Sequence, residues 1–320
     1  MMTNWETPPF RPPTEAFSLL IRATRNCPWR RCGFCGMYGG AKLEIRPVEE
    51  VKQDILAARA LVDQFIDFTR EVDDPEQTAV IAQANGLLWL QEGKVKQAFI
   101  GDSNSPIMKT GELAEIVSFL YETFPDLERV TSYARAKTLL KKKPEELKTL
   151  RQAGLTRLHV GLESGDDVIL KEMNKGATAE EMVQAGRKTM EAGFELSEYL
   201  MPGLGGRERW EEHARGSADV LNRVNPHFIR LRTLRLGLET DIPLAQRCRA
   251  GDFTLQSLEG LVDEVRLLIQ NLDVTSELVT SDFATNYYLL DVEGKLPEDK
   301  EKMLFALDTS MEWIRDKRTR

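Results

Sequence analysis

The chain has 320 residues, 42% hydrophobic and 29% charged, an ordinary globular composition with ample material for a core. A formal net charge of −8 argues against a general nucleic-acid binder, and no apolar run is long enough to span a bilayer. The N-terminus lacks a basic region followed by an apolar one, so no secretory signal is expected. Four cysteines, three of them clustered, do not make a disulfide framework, and a reducing cytoplasm is the expected compartment.

Residues 1–15 carry Pro8, Pro9, Pro12 and Pro13 and read as an extended lead-in. Ala16 to Ala23 is an apolar run of strand length. A cysteine-bearing loop follows, with glycines at 33, 36, 39 and 40 that allow tight turns. Pro47 opens a helix in which Val51, Ile55, Ala58, Val62, Phe65 and Ile66 recur at helical spacing. Pro75 reads as a break, and Thr78 to Leu90 as a further helix closed by Gly93. Gln97 to Ile100 is a second strand, residues 110–123 a helix, and Arg129 to Tyr133 a third strand. Pro144 to Ala153 is a helix closed by Gly154, and Arg157 to Gly161 the fourth strand. A helix over Ala179 to Ala192, a fifth strand over Leu196 to Met201, a helix over Glu208 to Val224 and a sixth strand over Phe228 to Leu234 complete the series.

Leu255, Leu258, Leu261, Val262, Val265, Leu268, Ile269 and Leu272 mark an amphipathic helix, for which a core-facing stripe is sufficient explanation. A segment over 273–320 follows, with a helix near Glu298 to Ile314 and a basic end, Arg315 to Arg320, that reads as solvated and frayed. Six strand–helix alternations indicate a parallel sheet with helical crossovers. They are too few for an eightfold barrel, and alone they leave an open doubly wound sheet as an alternative. The expected organisation is a lead-in over 1–15, a core over 16–250 and a C-terminal helical extension over 251–320.

The chemistry-bearing run is Arg25-Asn26-Cys27-Pro28-Trp29-Arg30-Arg31-Cys32-Gly33-Phe34-Cys35-Gly36. Three thiolates spaced C-x4-C-x2-C can each hold one iron of a four-iron four-sulfur (4Fe–4S) cluster, for which four cysteines are the usual complement. With no fourth nearby, one iron is left open to a small ligand. A zinc site would have to gather His159 and Cys248. Cysteines that only pack have no reason to cluster on a Pro-, Arg- and Gly-rich loop.

This run resembles the cluster loop of the radical S-adenosylmethionine (radical SAM) superfamily, with Phe34 in the place of the usual aromatic. The usual spacing there is C-x3-C-x2-C, one residue shorter. A second resemblance is Gly161-Leu162-Glu163-Ser164-Gly165, continuing to Met173-Asn174-Lys175-Gly176. The resemblance implies an incomplete (β/α)6 TIM-type barrel capped by the C-terminal extension. It implies that Cys27, Cys32 and Cys35 hold three irons, and that the amino and carboxylate groups of S-adenosylmethionine (SAM) chelate the fourth. Gly101-Asp102-Ser103 partly matches the family's Gly-Gly-Glu element, which contacts the methionine amino group; a plain turn is the alternative. Arg135 is placed to pair with the methionine carboxylate, or to lie on the surface. Glu163 or Ser164 would bond ribose hydroxyls or the methionine part, and Ser164 can equally cap a helix. Met201, in a Gly-rich apolar wall running to Gly206, would lie against adenine, and Leu231 to Leu234 would offer backbone groups to the adenine edge.

The activity so implied is one-electron cleavage of SAM to methionine and a 5′-deoxyadenosyl radical, which abstracts hydrogen from a substrate carbon. It requires a flavodoxin- or ferredoxin-like electron donor. The substrate is expected to be a small molecule, with tRNA or a protein side chain as the alternative, and a non-catalytic iron–sulfur or zinc sensor as a third reading. Cys248 is solitary, so no auxiliary cluster is expected, and it reads as a bystander. Thr280 to Tyr288 would cap the barrel mouth and touch substrate, or simply pack.

Overall fold

The computed structural model describes residues 5–38, 40–72, 74–91, 93–237 and 239–318. Gly39, the last two residues of the basic end and the first four of the lead-in lie outside the described residues. The chain divides into two compact units. One comprises Met1–Pro28, Ala41–Leu158 and Ala192–Phe194, the other Trp29–Gly40, His159–Glu191 and Glu195–Arg320.

The first unit contains strands β1 (Leu19–Arg22), β2 (Thr24–Arg25), β3 (Glu44–Ile45), β4 (Gln97–Gly101) and β5 (Arg129–Ala134). Its helices are α1 (Val48–Phe68), α2 (Pro75–Ala84), α3 (Thr110–Thr123), α4 (Ala136–Lys141) and α5 (Pro144–Gln152). β4 pairs in parallel with β1 and β5, in a register that puts Leu19, Ala98 and Val130 side by side. Alternation along each strand then aligns Leu19, Ile21, Ala98, Ile100 and Val130 on one face, all 0% exposed. α1 contributes Val51, Ile55, Ala58, Val62 and Phe65 to the core, and α3 contributes Leu113, Ile116, Val117 and Leu120. β2 and β3 are antiparallel and bracket the cysteine loop.

The lead-in is anchored. The Trp5 indole N–H donates to the Leu20 carbonyl at 3.0 Å, and Pro8 packs so closely on Gly101 that a Cβ there would overlap its ring. Pro75 starts α2 instead of breaking the chain. It occupies the first turn, where a missing N–H costs nothing, behind Asp74, whose side chain accepts the Glu76 N–H at 2.9 Å. α2 stops at Gly86, which has φ of +74°, so the expected helix over 78–90 is displaced toward the N-terminus.

β6 (Leu155–Glu163) begins in the first unit and ends in the second, standing between β5 and β7 in the strand order. The second unit continues with α6 (Asp167–Glu172), α7 (Ala179–Glu191), β7 (Glu195–Leu200), α8 (Trp210–Val224), β8 (Phe228–Leu231) and α9 (Pro243–Ala250). It closes with α10 (Leu258–Asn271), β9 (Glu277–Val279), β10 (Gly294–Lys295) and α11 (Lys300–Arg318). β8 is parallel to both β7 and β9, and β10 is antiparallel to β9. The segment after residue 273 therefore adds two short strands as well as a helix. α10 packs on α8 and α11, burying the Leu261, Val262, Val265, Leu268 and Ile269 stripe.

The fold is α/β, with an eight-stranded, mostly parallel sheet in the order β1-β4-β5-β6-β7-β8-β9-β10. This is the strand order of a partial TIM-type barrel, as expected. Among the described residues, no helix is long and apolar enough to cross a membrane.

Candidate active site

In parallel α/β folds, ligands gather at the carboxyl ends of the strands. In the first unit those ends are tied together by one carboxylate. Asp102, fully buried just after β4, takes the Arg22 guanidinium on Oδ2 at 2.7 Å. The same oxygen accepts the Asn26 N–H at 2.9 Å. The Asp102 N–H donates to Thr24 Oγ1 at 3.2 Å, and Ser103 Oγ donates to the Asn26 carbonyl at 3.2 Å. Gly101-Asp102-Ser103 thus holds Asn26, the residue before Cys27, in the left-handed region at φ of +69°, which Asn tolerates better than most residues. Glu6 joins the arrangement through Arg22 at 2.9 Å and Arg25 at 2.5 Å. The Arg25 hydrogen bond, aided by the Arg46 and Arg22 charges, lowers its pKa. Arg135 stands at the N-terminal cap position of α4, where its N–H donates to Asn104 Oδ1 at 3.0 Å.

The second unit fixes the rest of the cysteine loop. Gly33 donates its N–H to the Met173 carbonyl at 2.7 Å and accepts the Leu244 N–H at 2.9 Å. The Trp29 indole donates to the Asn174 carbonyl at 2.6 Å. Phe34 packs on an apolar cluster of Ile169, Met173, Met201, Leu204, Leu244 and Phe253, and Leu234 packs on the same cluster. The structure therefore brings Met201 and Leu234 together with the aromatic of the cysteine loop. It also gives roles to the Met173-Asn174-Lys175-Gly176 run that sequence reasoning quoted without assigning. Two of its carbonyls hold the loop, and a Cβ on Gly176 would lie 2.5 Å from the Trp29 ring.

None of the cysteines is in a disulfide; Cys27 and Cys32 are half-buried and Cys35 is exposed. The Cys35 N–H donates to the Cys32 carbonyl at 3.1 Å, a turn that keeps these two residues close. Among the described residues, no three His, Cys, Asp or Glu side chains converge in metal-ligand geometry. The donor set nevertheless fits an iron–sulfur cluster in kind: three accessible soft sulfur donors on one glycine-bearing loop. Cys248 does not belong with them. It packs on the apolar cluster, and burial raises its thiol pKa, which disfavours a metal-binding thiolate.

At the end of β6, Glu163 adopts φ of +64° and its Oε1 accepts Lys175 Nζ at 2.8 Å. Ser164 is fully buried. Its Oγ accepts the Asp166 N–H at 3.0 Å, and Asp166 in turn caps α6 through the Ile169 N–H at 2.8 Å. Ser164 thus shapes the turn before the helix, while the cap itself is Asp166 and not Ser164. Burial would raise the Asp166 pKa, but the Arg209 guanidinium and the Ile169 N–H outweigh it and lower it.

Sequence reasoning missed Glu198. It sits on β7, 3% exposed, and among the described residues its Oε2 has no hydrogen-bond partner. Burial pushes its pKa up to about 8, with Lys175 pulling it down and Glu163 pushing it further up. The signal was present: a carboxyl inside the otherwise strand-like run Leu196-Ser197-Glu198-Tyr199-Leu200 is out of place unless it meets a partner. In the segment Thr280 to Tyr288, Asn286 and Asp282 are engaged within the chain. Asn286 Oδ1 accepts the Thr233 N–H at 3.0 Å, its Nδ2 donates to the Leu231 and Thr280 carbonyls at 2.7 Å, and Asp282 pairs with Arg230.

The family model described as the Radical SAM superfamily matches residues 21–215, a span that contains the cysteine loop, Asp102, Arg135, Glu163 and Glu198. The chain belongs to the radical SAM superfamily. As a radical SAM protein it is an enzyme, and its cofactors are a 4Fe–4S cluster and SAM. Coproporphyrinogen III oxidase (HemN) of Escherichia coli, a radical SAM enzyme, shares the fold at a TM-score of 0.51 and 18% identity, over 83% of this chain and 52% of that one. Elp3 of the archaeon Methanocaldococcus infernus gives 0.49 and 14% identity, over 70% of this chain and 51% of that one. The radical SAM methyltransferase TsrM of Kitasatospora setae gives 0.48 and 17% identity, over 72% and 39%. The chain spans 51%, 39% and 32% of the first three structures it matches. No curated protein matches it.

Proposed function

We propose that this radical SAM enzyme abstracts a hydrogen atom from a small-molecule substrate, with Cys27, Cys32 and Cys35 holding the cluster. When bound, the reduced cluster and SAM supply a 5′-deoxyadenosyl radical, with methionine as the other product. The chain's part is to bind, orient and exclude water. Asp102 and Ser103 hold Asn26, and so aim Cys27. Arg135 offers a planar fork to the methionine carboxylate. Glu163, held by Lys175 at 2.8 Å, faces a hydroxyl or ammonium group of SAM, and Ser164 shapes the turn that presents it. Met201 and Leu234 form the apolar wall for adenine. Glu198 meets a polar group of the bound ligand. A flavodoxin- or ferredoxin-like protein in the cytoplasm supplies the electron. Residues 16–250 are the catalytic core, 1–15 the lead-in and 251–320 the C-terminal extension that caps it.

The observation that carries this reading is the anchoring of Gly33 on both its N–H and its carbonyl, with Phe34 packed in the same cluster as Met201 and Leu234. That arrangement ties the stretch carrying Cys32 and Cys35 to the apolar wall. Anaerobic reconstitution with iron and sulfide, followed by dithionite, is expected to release 5′-deoxyadenosine from SAM. Changing any one of Cys27, Cys32 or Cys35 to alanine should abolish that release. Purified protein carrying one tetrahedral zinc, or iron whose spectrum ignores added SAM, would overturn it.

A further inference from the structure

The backbone carbonyl of Glu163 accepts two donors. One is the Met201 N–H at 3.0 Å. The other is His213 Nε2 on α8, at 3.1 Å. A carbonyl has no proton to give, so Nε2 carries the hydrogen. The other ring nitrogen, Nδ1, lies 2.9 Å from Glu264 Oε1 on α10. The contact lies off the line of a hydrogen bond, and among the described residues neither Nδ1 nor Glu264 Oε2 has a hydrogen-bond partner. A bare lone pair at that separation from a carboxylate oxygen would be repulsive, so the close approach is that of a protonated, charged ring to a carboxylate. The same Oε1 accepts the Gly203 N–H at 2.8 Å. His213 is 1% exposed and Glu264 2%, so bulk water does not compete for these contacts.

We infer that His213 and Glu264 form a buried, proton-holding strut that joins the Glu163 carbonyl after β6 to the Gly203 amide after β7, and so sets the spacing of two loops assigned to SAM. They are positioning residues. The inference rests on the proposed function only for the loops' role in SAM binding; the strut itself is a property of the metal-free chain. Nothing local in the sequence announces it, because one residue lies on α8 and the other on α10.

The strut depends on its proton. Burial lowers the pKa of His213, but the Glu264 carboxylate and the Glu163 carbonyl outweigh that effect and raise it above 6.5. The other groups acting on the pair are Asp166, itself held by Arg209 at 2.8 Å, and the buried phenol of Tyr288, which burial keeps neutral. A histidine with a raised folded pKa contributes stability that is complete below its unfolded value. That stability is lost as pH rises through the folded value. The strut is therefore intact in mild acid and opens toward alkaline pH.

The chain has three histidines, so imidazole NMR of the metal-free protein resolves the point, with His213→Asn assigning the signal. His213 should titrate above pH 6.5, and Glu264→Gln, which keeps the shape and removes the charge, should lower that midpoint. Glu264→Leu should speed hydrogen exchange at the Gly203 amide about tenfold and weaken SAM binding by a similar factor. A His213 midpoint indifferent to Glu264→Gln, or unchanged Gly203 exchange in Glu264→Leu, would overturn the strut. Unchanged SAM affinity in Glu264→Leu would overturn its role in presenting the loops. Failure of the wild-type protein to cleave SAM would defeat the proposed function and leave the strut standing.

Discussion

Replacing Glu198 with glutamine should stabilise this protein, and increasingly so as pH rises. The carboxyl is 3% exposed, and burial carries its pKa from 4.5 to about 8. Between those values the folded chain holds a proton that the unfolded chain has released. Stability therefore falls as pH climbs through the window, the reverse of a salt-bridged carboxylate. Each unit is worth about 1.36 kcal/mol, so by pH 7 the acid costs roughly 3 kcal/mol relative to a side chain that does not ionise. Glutamine has nearly the same volume. The variant should match the wild type within about 1 kcal/mol near pH 4.5, gain about 3 kcal/mol at pH 7, and level off above pH 8. Denaturant unfolding of the metal-free protein across pH 5 to 8 reads this directly, provided the m-values agree. Parallel stability profiles for the two proteins would refute the reasoning. Glu198 is proposed to meet the ligand, so the stabilised variant should also lose turnover.

Asp102→Asn keeps an acceptor for the Asn26 N–H but removes the charge facing Arg22. A loss of about 2 kcal/mol is expected, from weakening hydrogen bonds to a buried carboxylate, together with poorer iron retention after reconstitution; full iron loading at wild-type stability would show that Asp102 does not aim Cys27. Gly101→Ala forces a methyl group into the Pro8 ring, and overpacking of this kind costs about 1–3 kcal/mol. Thermal melting should report it, and an unmoved midpoint would mean that the lead-in yields freely.

The alternation of strands and helices was legible because each long element carries its own period. α1, α3 and α10 show apolar residues at helical spacing, and β4 and β5 show short apolar runs between turn residues. α4 and α6 have six residues each and α9 has eight, too short for that period to register. The two strands after residue 273 have only three and two residues. Pro75 was misread because the same ring that ends a helix from inside favours its first turn. In the site, local spacing exposed the three cysteines. Contacts made between distant segments stayed hidden, among them Asp102 with Asn26, Met173 with Gly33, and His213 with Glu264. Asp102 illustrates the limit: its residue type suggested a partner for an ammonium, but the bonds of its Oδ2 to Arg22 and a backbone amide could not be read from it.

The Cys27–Cys32 interval is one residue longer than the superfamily's usual spacing, and the anchors explain how the surplus is carried. Asn26 is pinned by Asp102, and Gly33 is pinned on both its polar atoms. Between those moorings, Arg30 makes a left-handed kink at φ of +52°, a local feature on which the surplus can be carried. Shortening the chain by deleting Arg30 is accordingly a milder edit than moving either mooring by a single position.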